Sequence, residues 1–442
     1  MEFSFWQFFY DPVLRAPTLG SMLMGFASAL MGVVVFVRRR SLLGEALAHA
    51  AYPGLIISIL LISVLDGGRA AGLLIGAFIT AFLGLFVIEK LERNFKINPD
   101  AALCLVLALF LGVGVLVASR LQFTHPILYQ QAQVFLYGQA ATMNDQHIFF
   151  YGGFSLLVLS FLVLKFRHLE LVIFDQSFAK SIKVGTRSID ITIFILLILA
   201  LIIGIRSVGV VLMSGMLIAP AAAARQWTHR FSILFALAGF FGLISGFLGN
   251  YLSVYIPLWV GGDKPFSLPT GPMILLFSSS LCLFSLLFAP QRGAAARLMR
   301  IMRFRFRCIS ENVLKVLWKE GIENGVQKSD ILKWNHMSGL TLALVLGSLK
   351  RGGWITEKQQ SYLLTRDGVR RAARLIRLHR LWELYLASCM KMGEEKVHRS
   401  AEEMEHILTP ELEQKLTELL QNPQKDPHDK PIPKAEDSLC TQ

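Results

Sequence analysis

Long apolar runs fill the chain from Pro17 to about residue 290, interrupted at short intervals by charge, and beyond that point they cease. About 20 apolar residues suffice to cross the hydrocarbon of a bilayer as a helix. Windows of that size predict nine membrane helices, near residues 17–37, 46–65, 70–89, 101–118, 147–165, 189–205, 207–224, 231–256 and 271–289. The boundary between the sixth and seventh falls at Arg206-Ser207, and the stretch 119–146 is too polar to span and reads as a re-entrant or surface helix. Gly239, Gly242, Gly246 and Gly249 are small residues of the kind that let helices approach closely in lipid. Lysine and arginine cluster at 38–40, 90–96, 165–187, 225–230 and 292–307, all on alternate loops. The positive-inside rule places every one of these loops in the cytoplasm, with the N-terminus outside and the C-terminal region inside.

After residue 290 the pattern changes. Residues 291–307 hold six arginines and no acid; such a segment anchors against anionic lipid, with nucleic acid as the alternative partner. Helices are predicted over 311–320, 328–335 and 338–351, then a turn at Gly352-Gly353 and short strands at 354–356 and 362–365. Three helices and a hairpin in that order describe a winged helix-turn-helix, whose third helix enters the major groove. Ser338, Thr341, Lys350 and Arg351 are the candidates for DNA contact, the last two near phosphates. Residues 340–346, Leu-Thr-Leu-Ala-Leu-Val-Leu, are poor in base-reading side chains, so a winged helix used only for protein contact stays open.

Composition sharpens this division. The 442 residues are 54% hydrophobic, yet residues 1–290 carry 18 basic and 12 acidic side chains against 26 and 19 in the remaining 152. Net charge is thus +6 and +7 in the two parts, and this shift marks a domain boundary. The five cysteines form no CxxC pair, so neither a thiolate metal site nor a disulfide framework is indicated. No cleavable signal peptide is expected, since residues 1–16 lack a basic leader and no A-x-A site follows the first apolar run.

Candidate chemistry sits in three places. The first is Arg38–Gly54, where Glu45 and His49 lie four residues apart on one face of a helix that Pro53-Gly54 is expected to interrupt. A carboxylate and an imidazole are costly in hydrocarbon unless they pair, face a cavity or bind a cation. One turn carrying O and N donors suits a borderline divalent cation; a neutral His–Glu pair bridging packed helices is the alternative. The second is Asp175–Gly185, an amphipathic surface helix expected to end at the glycine. No G-x-x-x-x-G-K-[ST] occurs, so active transport would need an ion gradient or a separate ATPase. The third is His379 and Glu383, one turn apart, followed by His398, Glu402, Glu405 and His406, which share about 100° of arc on a further helix. Oxygen and nitrogen donors without sulfur favour manganese, iron or zinc over copper(I), although an acidic helix face is also commonly just solvated.

The stretch Arg38–Gly54 resembles the permease subunits of manganese/zinc/iron ABC importers, with Glu45 where the usual form has Asp. Val208–Arg225 looks like that family's proline-containing span, Asp175–Gly185 like its coupling helix, and Asp263 with Leu-Pro-Thr-Gly-Pro272 like the turn before its last helix. The resemblance covers residues 15–290. It implies two permease subunits, identical or homologous, around a central path, an ATPase dimer beneath them, and an extracellular metal-binding protein that delivers the cargo. It also assigns Glu45 and His49 to the path and Asp175, Ala179 and Gly185 to coupling.

The C-terminal part is similar to the diphtheria-toxin-repressor family of metal-dependent regulators. Leu378–Glu383 matches its His–Glu helix, Glu402–His406 its ligand helix, and Pro427-His428 with Pro431-Ile432-Pro433 the end of its dimerisation domain. Glu402 stands where the manganese-sensing branch has Glu and the iron-sensing branch Cys, tilting the sensed ion towards Mn²⁺. The first-helix ligand of that family aligns with Asn312, a weak donor, and its optional third domain is not expected here.

The resulting expectation is an all-α polytopic membrane bundle of about eight or nine transmembrane helices, followed by a cytoplasmic winged helix-turn-helix and a helical metal-binding and dimerisation domain. Its parts are 1–290, a basic linker 291–307, a winged helix 308–369, a metal-binding domain 370–433 and a tail 434–442. The expected function is that of a non-enzymatic permease subunit of an importer for Mn²⁺, Zn²⁺ or Fe²⁺ in a bacterial cytoplasmic membrane, ATP being hydrolysed elsewhere. The rivals are a membrane-tethered repressor that does not conduct and a gradient-driven carrier. Proteolysis near 291–310 would free the regulator to bind DNA.

Overall fold

The computed structural model describes residues 6–64, 70–138, 140–260, 267–320, 325–335, 338–390, 404, 406 and 409–434. The chain divides into two compact units, Met1–Arg297 and Leu298–Gln442.

In the first unit a short α1 (Gln7–Tyr10) precedes α2 (Pro12–Val37), α3 (Leu42–Val64), α4 (Ala70–Asn94) and α5 (Pro99–Thr124). Next come α6 (Pro126–Tyr137), a 3-10 turn at Ala140–Thr142, α7 (Asp145–Leu164), α8 (Phe166–Phe174) and α9 (Gln176–Ser181). The helices α10 (Thr186–Val208), α11 (Val210–Trp227), α12 (Phe231–Val260) and α13 (Thr270–Phe288) complete it. Among the described residues nine helices, α2–α5, α7 and α10–α13, are long and apolar enough to cross a membrane. The bundle centres on α2 and α3, whose apolar windows are 72% and 83% buried, whereas α4, α5, α7 and α13 leave most of theirs exposed.

Close approach builds this centre. A Cβ on Gly54 would come within 2.2 Å of the Gly76 carbonyl oxygen, and one on Gly76 within 1.8 Å of Ser58 Oγ. α3 and α4 therefore touch backbone to backbone at a level where only glycine fits. Buried polar groups cross between helices as well: Asn250 Nδ2 donates to Thr18 Oγ1 at 2.6 Å and Ser155 Oγ to the Leu23 carbonyl at 2.9 Å.

Local boundaries depart from expectation in instructive ways. α3 is not interrupted at Pro53-Gly54 but runs through to Val64, because a membrane helix accommodates proline when its neighbours pack around it. The break between the sixth and seventh spans lies at Gly209 (φ 94°), not at Arg206-Ser207. Glycine tolerates that positive φ, so it and not the arginine fixes the turn. The polar stretch 119–146 is divided between the end of α5 and the separate helix α6. Within the basic segment 291–307, helix α14 (Ala294–Glu320) begins at Ala294 and runs on to Glu320.

In the second unit Val313, Leu314 and Leu317 of α14 join a compact core with Ile331, Leu342, Val345, Leu346, Leu349 and Ile355. The elements are β1 (Val326–Gln327), α15 (Lys328–Asn335), α16 (Gly339–Arg351), β2 (Ile355–Lys358), β3 (Ser361–Leu364), α17 (Arg366–Ser388) and α18 (Pro410–Leu419). The antiparallel wing has strand order β1-β3-β2. The predicted hairpin is there; β1, two residues long, is too short to carry a pattern in sequence. Ser338 caps α16 by accepting from Thr341 N.

Candidate functional site

His49 lies on α3 and is 6% exposed, with Glu45 half-buried one turn before it. Among the described residues the His49 Nδ1 atom has no hydrogen-bond partner. A buried, unpartnered imidazole nitrogen costs on the order of 1–3 kcal/mol unless something else occupies it. Pro53 adds a further acceptor: lacking an N–H, it leaves the carbonyl of His49, four residues earlier, without the helical bond it would otherwise receive. An imidazole nitrogen, a carboxylate and a released carbonyl thus lie within one and a half turns of helix. Thr80 of α4 approaches the same region, its hydroxyl 3.5 Å from the Ala51 carbonyl oxygen.

The arginine block before Glu45 is anchored at both ends. Arg38 Nη2 meets Asp190 Oδ1 of α10 at 2.5 Å, and Arg40 Nη2 meets Glu92 Oε2 of α4 at 2.8 Å. Between them Arg39 takes a left-handed φ of 57°. Together with Glu89, Arg93 and Gln176 these side chains line a polar cavity of about 770 Å³. Gln176 Nε2 also donates to Asp190 Oδ2 at 3.4 Å, so α9 and the α2–α3 turn share one carboxylate. Nothing in the sequence announces this junction, since its members come from three distant stretches.

Of the three coupling candidates, Asp175 caps α9 by accepting from Phe178 N at 2.9 Å. Ala179 is fully buried and faces its own bundle, so the exposed residues of α9 are Gln176, Ser177, Phe178, Lys180 and Ser181. The helix does not end at Gly185. It closes at Ser181, with Lys183 supplying the left-handed residue (φ 58°), and Gly185 precedes α10.

In the second unit His379 Nε2 lies 3.1 Å from Glu383 Oε1 on α17, both side chains nearly enclosed. His406 Nδ1 lies 2.7 Å from Glu311 Oε2 on α14, and each side chain is at most 5% exposed. Glu311 also accepts from Arg307 and Arg371. Burial pushes the Glu311 carboxyl up, but hydrogen bonds from His406 and Arg307 and their charge outweigh it and hold it below the usual carboxylate range. His398, Glu402, Glu405 and Asp263 lie outside the described residues. Among the described residues no three His, Cys, Asp or Glu side chains converge as a metal cluster. Two enclosed histidines with carboxylate partners are nonetheless the donor chemistry that a borderline divalent ion takes. Neither comparison of charge nor spacing pointed to Glu311, whose signal is only an acid one turn after Arg307.

On the winged unit Lys350 is already engaged by Glu357 at 2.9 Å, and that hydrogen bond raises its pKa. Arg351 is exposed, and Ser338 Oγ lies 2.8 Å from Thr341 Oγ1. Between them α16 presents Leu340 and Leu344, 81% and 66% exposed.

The sequence profile of the ABC 3 transport family matches residues 10–289. The chain belongs to that family. It is a multi-pass metal-transport membrane protein of this kind, and not a catalytic enzyme. A second profile, the iron dependent repressor metal binding and dimerisation domain, matches residues 365–434, so a repressor-like domain is fused to the permease. A probable metal transport system membrane protein of Chlamydia trachomatis is 36% identical over 96% of this chain and 97% of its own length. The manganese transport system membrane protein MntC of Bacillus subtilis is 31% identical over 88% of both chains. An alignment of that extent cannot fit within residues 1–290, so the similarity continues into the C-terminal part. Among solved structures, PsaBC from Streptococcus pneumoniae in complex with Fab is 22% identical, covers 67% of this chain and 97% of its own, and has a TM-score of 0.56. That likeness concerns the fold.

Proposed function

We propose that the chain forms half of the membrane path of an ATP-driven importer whose cargo is Mn²⁺ before Zn²⁺ or Fe²⁺, and that Glu45 and His49 handle the ion. The observation that carries this is the buried, unpartnered Nδ1 of His49 in the most enclosed span, one turn from a carboxylate. A relative named for manganese transport supports the choice of ion. A second permease copy, identical or homologous, an ATPase dimer and an external metal-binding protein complete the assembly. In this reading the exposed side of α9 receives the ATPase, and the Gln176–Asp190–Arg38 contacts relay its movement to the start of α3. Uptake of radioactive manganese into vesicles reconstituted with the partner ATPase tests the proposal. ATP-dependent accumulation is expected; uptake driven by an ion gradient without ATP would instead favour a carrier.

The C-terminal unit then lies in the cytoplasm and senses the imported ion through His379, Glu383, His406 and the ligands at 398, 402 and 405. As a DNA-binding regulator it would use Ser338, Thr341, Lys350 and Arg351, either tethered or after cleavage near 291–310. A second reading is favoured by α16 itself: Leu340 and Leu344 project where base-reading side chains would be expected, and helix α14 covers the segment where cleavage would occur. In that reading the unit stays attached and throttles its own permease. A metal-dependent shift of operator DNA by the full chain distinguishes the two.

A further inference from the structure

One histidine of the metal-binding domain is held from outside it. Glu311 belongs to α14, well before residue 365 where the matched domain starts, and is 3% exposed. Its Oε2 lies 2.7 Å from His406 Nδ1. Its Oε1 accepts from Arg307 Nε at 3.2 Å and from Arg371 Nη2 at 3.1 Å. Three donors, from α14, α17 and the turn at His406, therefore fix both carboxylate oxygens. An ionised carboxylate only accepts hydrogen bonds, so the proton in the 2.7 Å contact sits on Nδ1 of His406. An imidazole that donates through Nδ1 presents Nε2 as its ligating nitrogen. Carboxylates behind metal-binding histidines commonly set ring tautomer and orientation in this way.

We propose that Glu311 is the residue through which α14 serves the regulatory metal: it positions His406 so that Nε2 coordinates a divalent cation, and Asn312 contributes no ligand. Asn312 is only half-buried and, one position on, points about 100° away around the helix. This rests on His406 being a ligand of that ion, as proposed above. Lengthening the contact or removing its charge leaves His406 free to turn, without deleting a donor from the metal itself.

The test uses the full chain in detergent, carrying Glu45→Gln and His49→Ala so that the membrane path does not contribute, titrated with Mn²⁺ alone. His406→Gln first identifies the regulatory site by the binding it removes. Glu311→Gln should then weaken Mn²⁺ by roughly 10–100-fold, the usual effect of losing an outer partner. Asn312→Ala should stay within about twofold. Because Glu311 acts through His406, the double variant Glu311→Gln/His406→Gln should bind no more weakly than His406→Gln alone. If Glu311→Gln proves unstable, Glu311→Asp carries the comparison, with the charge kept, the reach shortened and an intermediate affinity expected. Unchanged binding in Glu311→Gln, additive losses in the double variant, or a loss in Asn312→Ala would each overturn the proposal. Should His406→Gln itself leave Mn²⁺ binding intact, it is the assignment of His406 that fails, a result distinct from the others.

Discussion

At the scale of single residues the proposed membrane path reduces to few atoms. Among the described residues His49 Nδ1 is enclosed without a partner, Glu45 lies one turn away, and Pro53 withdraws the bond owed to the His49 carbonyl. Glu45→Gln and His49→Ala should each insert and fold, since the apolar scaffold is untouched, yet lower manganese uptake by at least the roughly 10–100-fold that loss of a mere outer partner costs. Normal uptake by the double variant would remove the ion site from this helix. Glu45 and His49 stand out in sequence as candidates because ionisable groups in apolar runs are conspicuous and helical spacing sets them on one face. The free Nδ1 was not, because no pattern along one chain reports which neighbouring helix fails to offer a partner.

At the scale of elements, the proposed coupling surface differs from its sequence outline. Asp175 caps α9, a role its sequence outline did not include, and Ala179 packs inward, so Ala179→Trp should destabilise the first unit by about 1–3 kcal/mol through overpacking. Phe178→Asp, at a 51% exposed position, should leave the melting temperature unchanged and reduce co-purification of the ATPase. A change that shifted melting but not co-purification would assign Phe178 to the bundle instead. The Arg38–Asp190 contact is partly exposed and is worth about 1 kcal/mol or less to stability. Its value is in linkage: Asp190→Asn should let ATP hydrolysis proceed with several-fold less metal moved per ATP, measured in vesicles. Equal stoichiometry would sever α9 from the α2–α3 turn in function. Charge clusters announced Arg38–Arg40, but nothing in sequence paired them with Asp190, because that partner is brought near only by the stacking of α2 on α10.

Across the whole molecule, hydropathy placed all nine spans, since it reflects bulk solvent preference over long windows, while the charge shift at residue 290 lies a few residues before the division after Arg297. What escaped was continuity. The arginines of 291–307 read as a linker, yet alanines and arginines are good helix formers, and α14 begins at Ala294. If the fused unit acts on transport, His379→Ala should abolish inhibition of uptake by manganese loaded inside vesicles while leaving uptake at low internal metal unchanged. If it acts on DNA, Lys350→Ala and Arg351→Ala should weaken operator binding about equally for all sequences and flatten its salt dependence, as lost phosphate contacts do.

Pro53 carries a consequence for anyone improving this protein. Proline inside a helix costs up to about 3 kcal/mol, and Pro53→Ala would return to His49 the backbone bond it lacks. Such a variant should melt higher and transport less. A screen that rewards heat tolerance would therefore enrich an inactive protein, and evolution, which rewards uptake, has reason to keep the less stable one.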